Sequence, residues 1–555
     1  MKRILFLLLA TLMLVSMAGC VEVEEAEQQE PAITSQYGGH LDVGNQGRPT
    51  GLDPLKQVGT WKFQWTTPVY EPFLTRDSQN NIQPCVCDYV LTSYEKDGQT
   101  YTDLKVWPRE GYVFSHGYGQ VEMEDLVASW HRGLNLYSKI KKYVAPNVVG
   151  AQVENDTELG QDVFHITFIY NERNLFYFAA WQTWWPVMPR EICEKYVDSY
   201  ITDQLEDAVG TGPYVFSEFK ENTYVTLQKR EDYVPVLQDK SCTGTAATKY
   251  GYLDSMTFWY NGPDNFPASD VLSRAYDCEH VIPTEYLGRT EEVGIVATRQ
   301  PSAQRCWIIF KTNGENNLVT KYPSLRKAVM AAIDYPSFLE FVTDDSQDLE
   351  NDNILLNELY DVTHKFKEAD YYGPYDQAVV DKYLALAREE GYNGEPLQIT
   401  FTGYTDLEMT TAAMEKAGIN YEIIINDYPY PDSIVADPSV PLDFYFDWED
   451  TAWTPGTLSD ALAVNNFRSD RVAQIREEMC RLDPTSPEYL ALWEEWTDIW
   501  VEGCQIGYLG AVEWCWWHPE ALHINDGGDG PNDQCPVRFF YNTYWEDPKN
   551  HPKKS

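Results

Sequence analysis

A change of period within residues 77–130 constrains this chain more than any other feature. Over Tyr101–Trp107, Thr102, Leu104 and Val106 fall on one face and Tyr101, Asp103, Lys105 and Trp107 on the other. That period of two predicts a strand with one buried face. Asp97-Gly98, a turn dipeptide, stands just before it. From Glu124 the spacing changes, and Leu126, Val127, Trp130 and Leu134 lie on one helical stripe. Strand, turn, strand and helix in this order predict an α/β fold with solvent on one side of the sheet.

The second half repeats the mixture. Leu325, Ala328, Val329, Ala332 and Ile333 form an apolar stripe within Ser324–Asp334, so a packed helix is expected there. Asp334 can cap the next helix, with Pro336 in its first turn. A helix over Gln377–Glu390 ends at Gly391. After it come a strand Gln398–Phe401, a helix Asp406–Ala417 closed by Gly418, and strands Tyr421–Ile425 and Leu442–Phe446. That alternation reads as a βαβ-type layer. Two amphipathic helices follow, around Val472–Leu482 and Glu488–Val501. A length of 555 residues corresponds to about three or four domain-sized units.

The N-terminus reads as an address. Lys2 and Arg3 precede the apolar run Ile4–Val15, then Ser16-Met17-Ala18-Gly19-Cys20, the layout of an export signal too short to be a membrane span. Small residues before Cys20 resemble a bacterial lipobox, with Met17 where Leu is commoner. Cleavage before Cys20 and a diacylglycerol on its sulfur are expected, anchoring the chain without a spanning helix; an ordinary secretory signal is the alternative. Residues 20–36 are then an acidic tether.

Composition excludes one class of partner. A formal charge of −44, from 86 acidic and 42 basic residues, excludes nucleic acid, which needs a basic surface. It fits a solvated extracytoplasmic surface, or a field that favours cationic ligands. Ten cysteines besides Cys20 are compatible with disulfides outside the cell. By separation alone, Cys242–Cys278 and Cys480–Cys504 are candidate pairs. Cys85-x-Cys87 lacks the second Cys or His pair that a zinc site requires.

Short motifs then appear in a fixed order. Thr50-Gly51-Leu52-Asp53-Pro54 and Val69-Tyr70-Glu71-Pro72-Phe73-Leu74 come first. Phe114-Ser115-His116-Gly117 and Glu122-Met123-Glu124-Asp125-Leu126 follow. Val209-Gly210-Thr211-Gly212-Pro213-Tyr214-Val215-Phe216, Arg230-Glu231-Asp232-Tyr233 and Ser324–Asp334 complete the series. Together they resemble the extracellular solute-binding proteins of family 5, the oligopeptide- and dipeptide-binding subunits of ABC importers, from about residue 37 to about residue 510. His116 stands where that family usually has Asp, and Glu122 where a capping Thr is usual. Glu is a poor N-cap, so a displaced or weaker helix start is expected.

The resemblance implies a type II periplasmic-binding-protein-like fold, with two main lobes, a cleft between them and an extra small lobe. Lobe I would comprise 37–75, 189–300 and 504–555, lobe II (the small one) 76–188, and lobe III 301–503. Ligand contacts are expected within Asp443–Pro455. Peptide binders of the family often carry W-x-A-D-Y-x-D-P there, with the first Asp on the peptide α-amine. Fixing Trp448 and Pro455 places Thr451 at that Asp, with Asp450 one residue off. The candidate ligand residues are therefore Trp448, Asp450, Thr451 and Trp453, joined by Tyr508 at the hinge side and Tyr143 from lobe II. No cofactor, no metal and no enzymatic activity are implied.

The implied function is a lipid-anchored receptor, monomeric, that takes up short peptides and passes them to an ABC transporter permease. A second reading keeps the fold but binds an oligosaccharide, which the shifted aspartate and nearby tryptophans favour. A third is an exported hydrolase, although H-E-x-x-H, G-x-S-x-G and the P-loop lysine are all missing from the sequence.

Overall fold

The computed structural model describes residues 36–553 except 46, 57–61, 77–80, 138–139, 179–184, 239–245, 261–274, 280–289, 291–292, 339–357, 401–403, 425–437, 451–454, 456–469 and 525–539. The expected export signal, Cys20 and most of the expected tether lie outside the described residues.

Two hydrophobic cores organise the chain. The first forms on a four-stranded sheet in the order His40–Asn45, Ser255–Tyr260, Tyr224–Lys229 and Tyr214–Lys220, whose first two strands are parallel. Leu41 and Val43 are buried, and so are His40 and Asp42 between them, so this strand is covered on both faces. The buried polar face is satisfied: His40 Nδ1 lies 2.7 Å from Ser255 Oγ, and Trp259 Nε1 donates to Asp42 at 2.8 Å.

A second four-stranded sheet, Cys87–Lys96, Gln99–Pro108, Gln161–Ile169 and Val148–Asp156, is antiparallel throughout. Asp97 and Gly98 turn its first hairpin with φ of 54° and 77°, the left-handed pair that a two-residue hairpin favours. Thr102, Leu104 and Val106 are buried, as the alternation predicts. The helix Met123–Leu136 packs Leu126 and Trp130 against this sheet, and the Trp130 and Trp185 rings stack at 4.3 Å. Its start is not displaced. Asp125 accepts the N–H of Glu122 at 2.8 Å and that of Arg190 at 2.8 Å, so a carboxylate one turn in holds the helix start. His116 takes φ 58°, a left-handed conformation that Asp, Asn and His tolerate better than most residues. Residues of both sheets enter one continuous core, and together they form the first body.

The second core surrounds a five-stranded sheet in the order Tyr421–Ile423, Leu397–Thr400, Phe444–Asp450, Ile295–Phe310 and Ile506–Pro519. Helices Ser324–Ala332, Gln377–Glu390, Tyr404–Ala417, Asp470–Met479 and Pro487–Gly503 accompany it. The stripe Leu325, Ala328, Val329, Ala332 is buried as expected. Gln377–Glu390 is capped by Asp376, which accepts the Ala378 N–H at 2.8 Å, and closed by Gly391 at φ 114°. Trp493, Trp496 and Trp500 line the buried face of Pro487–Gly503 with mutual centroid distances of 4.8–5.8 Å.

The Cys480–Cys504 candidate disulfide does not form, and the other candidate falls on Cys242, which lies outside the described residues. Cys480 and Cys504 follow the C-termini of two different helices and face different partners. Cys480 Sγ lies 3.5 Å from Glu172, while the thiol of Cys504, pushed up to about 12 by burial, sits by Arg326, Lys327 and Tyr371.

Two long antiparallel strands join the bodies. Ile295–Pro301 pairs with Glu513–Pro519, and Arg305–Ile309 with Ile506–Ala511. Trp516 belongs to the first core, while Ile506, Tyr508 and Leu509 belong to the second, so each strand crosses from one to the other. The ladder shifts register between Pro301 and Arg305 and again between Cys306 and Trp307.

Candidate ligand cleft

Strand direction locates a cleft. In the first body, the segment at Cys278 runs parallel to His40–Asn45, and Glu279 pairs antiparallel with Trp517. The strand holding Trp517 runs from the second core into the first, so Cys278-Glu279 and its parallel neighbours end toward the second body. In the second body, Leu397–Thr400, Tyr421–Ile423 and Phe444–Asp450 are mutually parallel. Phe444–Asp450 runs antiparallel to Ile295–Phe310, from Phe310 back to Gln304, so this set ends toward the first body. The carboxyl ends of both parallel sets therefore face each other across the crossing strands. In α/β sheets that is where ligands are held.

Two of the candidate residues lie on this edge. Trp448 pairs with Cys306, and Asp450 with Gln304 inside the register shift. Thr451 and Trp453 lie outside the described residues. The strand expected at Leu442–Phe446 instead spans Phe444–Asp450, because its long partner offers pairing groups as far as Gln304. Trp448 and Asp450 are thus strand residues. Asp443 precedes the strand and is turned inward. It is buried, and its carboxylate accepts the N–H of Val319 at 3.1 Å and of Gln398 at 2.8 Å. Burial raises its pKa against those bonds.

Of the two candidate tyrosines, Tyr508 lies on a crossing strand, where it pairs with Trp307, and Tyr143 lies on the first body. Tyr508 is fully buried in the second core, its ring 5.1 Å from Trp307 and 6.3 Å from Phe366. Tyr143 is half-buried on the first body, with the Lys142 ammonium 4.7 Å from its ring centroid. Its carbonyl accepts from Asn147 Nδ2 at 2.8 Å, and that amide also reaches Asn174 at 3.3 Å.

Sequence reasoning missed a contact between the bodies made outside the paired crossing strands. Glu172, on the first body, is buried, and its N–H donates to the Cys480 carbonyl at 3.0 Å. Tyr489 Oη lies 3.3 Å from each oxygen of the Glu172 carboxylate. Burial, and then the Glu172 charge, push the hydroxyls of Tyr170 and Tyr360 upward. The sequence carries no local signal for this contact, since Glu172 and Tyr489 are 317 positions apart.

Among the described residues no group of three or more His, Cys, Asp or Glu is placed to hold a metal ion. No helix among them is long and apolar enough to cross a membrane.

Known proteins match this architecture. The periplasmic binding protein DppA of Helicobacter pylori, solved with the peptide STSA, superposes with a TM-score of 0.66 at 15% identity, over 92% of this chain and 99% of that one. The oligopeptide-binding protein AppA of Bacillus subtilis, solved with a nonapeptide, gives 0.66 at 16% identity, over 92% and 99%. NikA of Staphylococcus aureus, solved with Ni(L-His)2, gives 0.67 at 14% identity, over 92% and 100%. At these identities the likeness establishes a shared periplasmic-binding-protein fold. The family model 'Bacterial extracellular solute-binding proteins, family 5 Middle' matches residues 90–473, more than half of the chain. This chain belongs to the bacterial extracellular solute-binding proteins of family 5, the solute-binding components of ABC importers.

Proposed function

We propose that this protein is a lipid-anchored extracytoplasmic receptor that captures short peptides between its two bodies and delivers them to an ABC transporter permease. The observation that carries the reading is the opposition of two sets of strand ends across a two-stranded crossing. Two bodies so joined can part and close on an enclosed solute, with no covalent chemistry required. The peptide-bound relatives support peptide as the solute class. Asp450 and Trp448 would contact the ligand from the second body, with Thr451 and Trp453 continuing the same edge. Cys20 would carry the lipid.

An oligosaccharide is the second reading, favoured by Thr451 standing where peptide binders of the family carry the α-amine aspartate. A thermal-shift screen of the mature protein against random di- to pentapeptide pools and β-linked oligosaccharides separates the two. A ligand at 100 times its Kd adds about 2.7 kcal/mol, a clear rise in melting temperature. Stabilisation by a sugar and by no peptide pool would overturn the peptide reading. Incorporation of labelled palmitate into the full chain, lost in Cys20→Ala, tests the anchor.

A further inference from the structure

The geometry points to Glu172 as a latch that holds the two bodies closed at a contact outside the paired crossing strands. The helix Glu172–Phe178 is held by the first body at two points. Phe178 enters the first core, 5.1 Å from Phe73, 5.7 Å from Trp130 and 5.3 Å from Trp185. Asn174 Nδ2 donates to the Ile169 carbonyl at 3.0 Å. The opposite end of the same helix sits in the second body. There Glu172 meets the Tyr489 hydroxyl, the Cys480 thiol and the Cys480 carbonyl. Tyr489 is itself fixed, with its ring 6.1 Å from that of Tyr360, whose carbonyl accepts from Trp493 Nε1 at 2.8 Å.

A carboxylate in this position differs from a ligand-contacting group. Parting of the bodies carries Glu172 away from Tyr489 and Cys480 and returns both sides to water. The contact therefore favours the closed state whatever solute is enclosed, and its loss lowers apparent affinity for all solutes by one common factor. A hydrogen bond to a charged group sets that factor at roughly tenfold or more. This inference rests on the receptor reading only in assuming that the bodies separate.

The test uses the mature chain, Glu172→Gln, Tyr489→Phe and the double variant. Small-angle scattering is recorded without ligand and with a random tripeptide pool. We expect both single variants to keep the wild-type far-UV spectrum, to shift toward the larger radius of gyration of an open form, and to weaken every stabilising peptide by the same factor. The double variant should be no worse than Glu172→Gln alone, because the Tyr489 hydroxyl acts through the Glu172 carboxylate that this change already removes. Scattering profiles identical to wild type in both conditions, or effects that add in the double variant, would overturn the latch. Absence of any peptide binding by the wild type would sink the peptide reading and leave the ligand-free scattering comparison as the test of the latch.

Discussion

Arg132 and Asp53 form an ion pair with side-chain exposures of 1% and 0%. Arg132 Nη1 donates to Asp53 Oδ1 at 3.3 Å, and its other nitrogens reach the carbonyls of Tyr196 at 3.0 Å and Ser199 at 3.2 Å. Asp53 in turn accepts the N–H groups of Leu55 and Ile201, each at 2.9 Å. The pair ties the turn after the first strand to the helix packed on the antiparallel sheet, so both parts of the first body move together.

Breaking that pair from one side should be severe. A buried charge that loses its partner costs about 3–5 kcal/mol, so Arg132→Met or Asp53→Asn should lower unfolding stability by about that much in urea titrations. A loss under about 1 kcal/mol would mean that water reaches the pair.

Lys62 lies beside Asp53 and should give the stability curve a slope. Burial brings its amine down to about 7, with Asp53 opposing. The unfolded amine titrates near 10.5, so from about pH 7 upward the unfolded chain binds the extra proton. The site's contribution to stability therefore rises with pH through that window, and is at its lowest below pH 7. Wild type minus Lys62→Met, compared at pH 6, 7, 8 and 9, should be flat at the acid end and climb above it. A flat difference throughout would show the amine to be solvated.

Gly210→Ala should destabilise by about 1–3 kcal/mol, the usual effect of overpacking. A Cβ there would come 2.1 Å from the Val69 carbonyl oxygen, and Gly212 faces Pro68 in the same way at 2.3 Å. Neither neighbour can yield, being main chain. Chemical denaturation of the variant measures the loss.

Asp450→Asn should weaken a cationic solute by roughly tenfold, the worth of a charge-assisted hydrogen bond, and leave neutral solutes unaffected. Titration calorimetry with a peptide and its N-acetylated form checks both. Equal affinity of wild type and variant for the free peptide would place Asp450 outside the site.

The parts of this fold legible in the sequence are those whose partners are also short motifs. Thr211 Oγ1 donates to Glu71 at 2.8 Å, Lys249 Nζ lies 3.3 Å from the same carboxylate, and Arg230 donates to the carbonyls of Val113, Thr211 and Gly212. The motifs that carried the resemblance thus hold the first body together, and name the architecture without naming the solute. Helix ends at Gly391 and Gly418 are equally plain, since capping is local chemistry. Strand length is not. The end of Phe444–Asp450 is set by Ile295–Phe310, more than a hundred residues away in sequence, and the cysteine partners depended on packing that spacing does not encode. Glu172 carried no local mark because its role exists only once the two cores are side by side.

The paired strands between the cores also say where a swing can occur. Intact ladder hydrogen bonds resist sliding of one strand past the other, yet the pairing lapses between Pro301 and Arg305, and Pro301 has no N–H to give. Torsion there breaks no rung between the two crossing strands, so the pivot should sit within a few residues of Asp450. A solute seated on that edge would rest almost on the axle, where a small rotation moves it little while the far rims travel furthest.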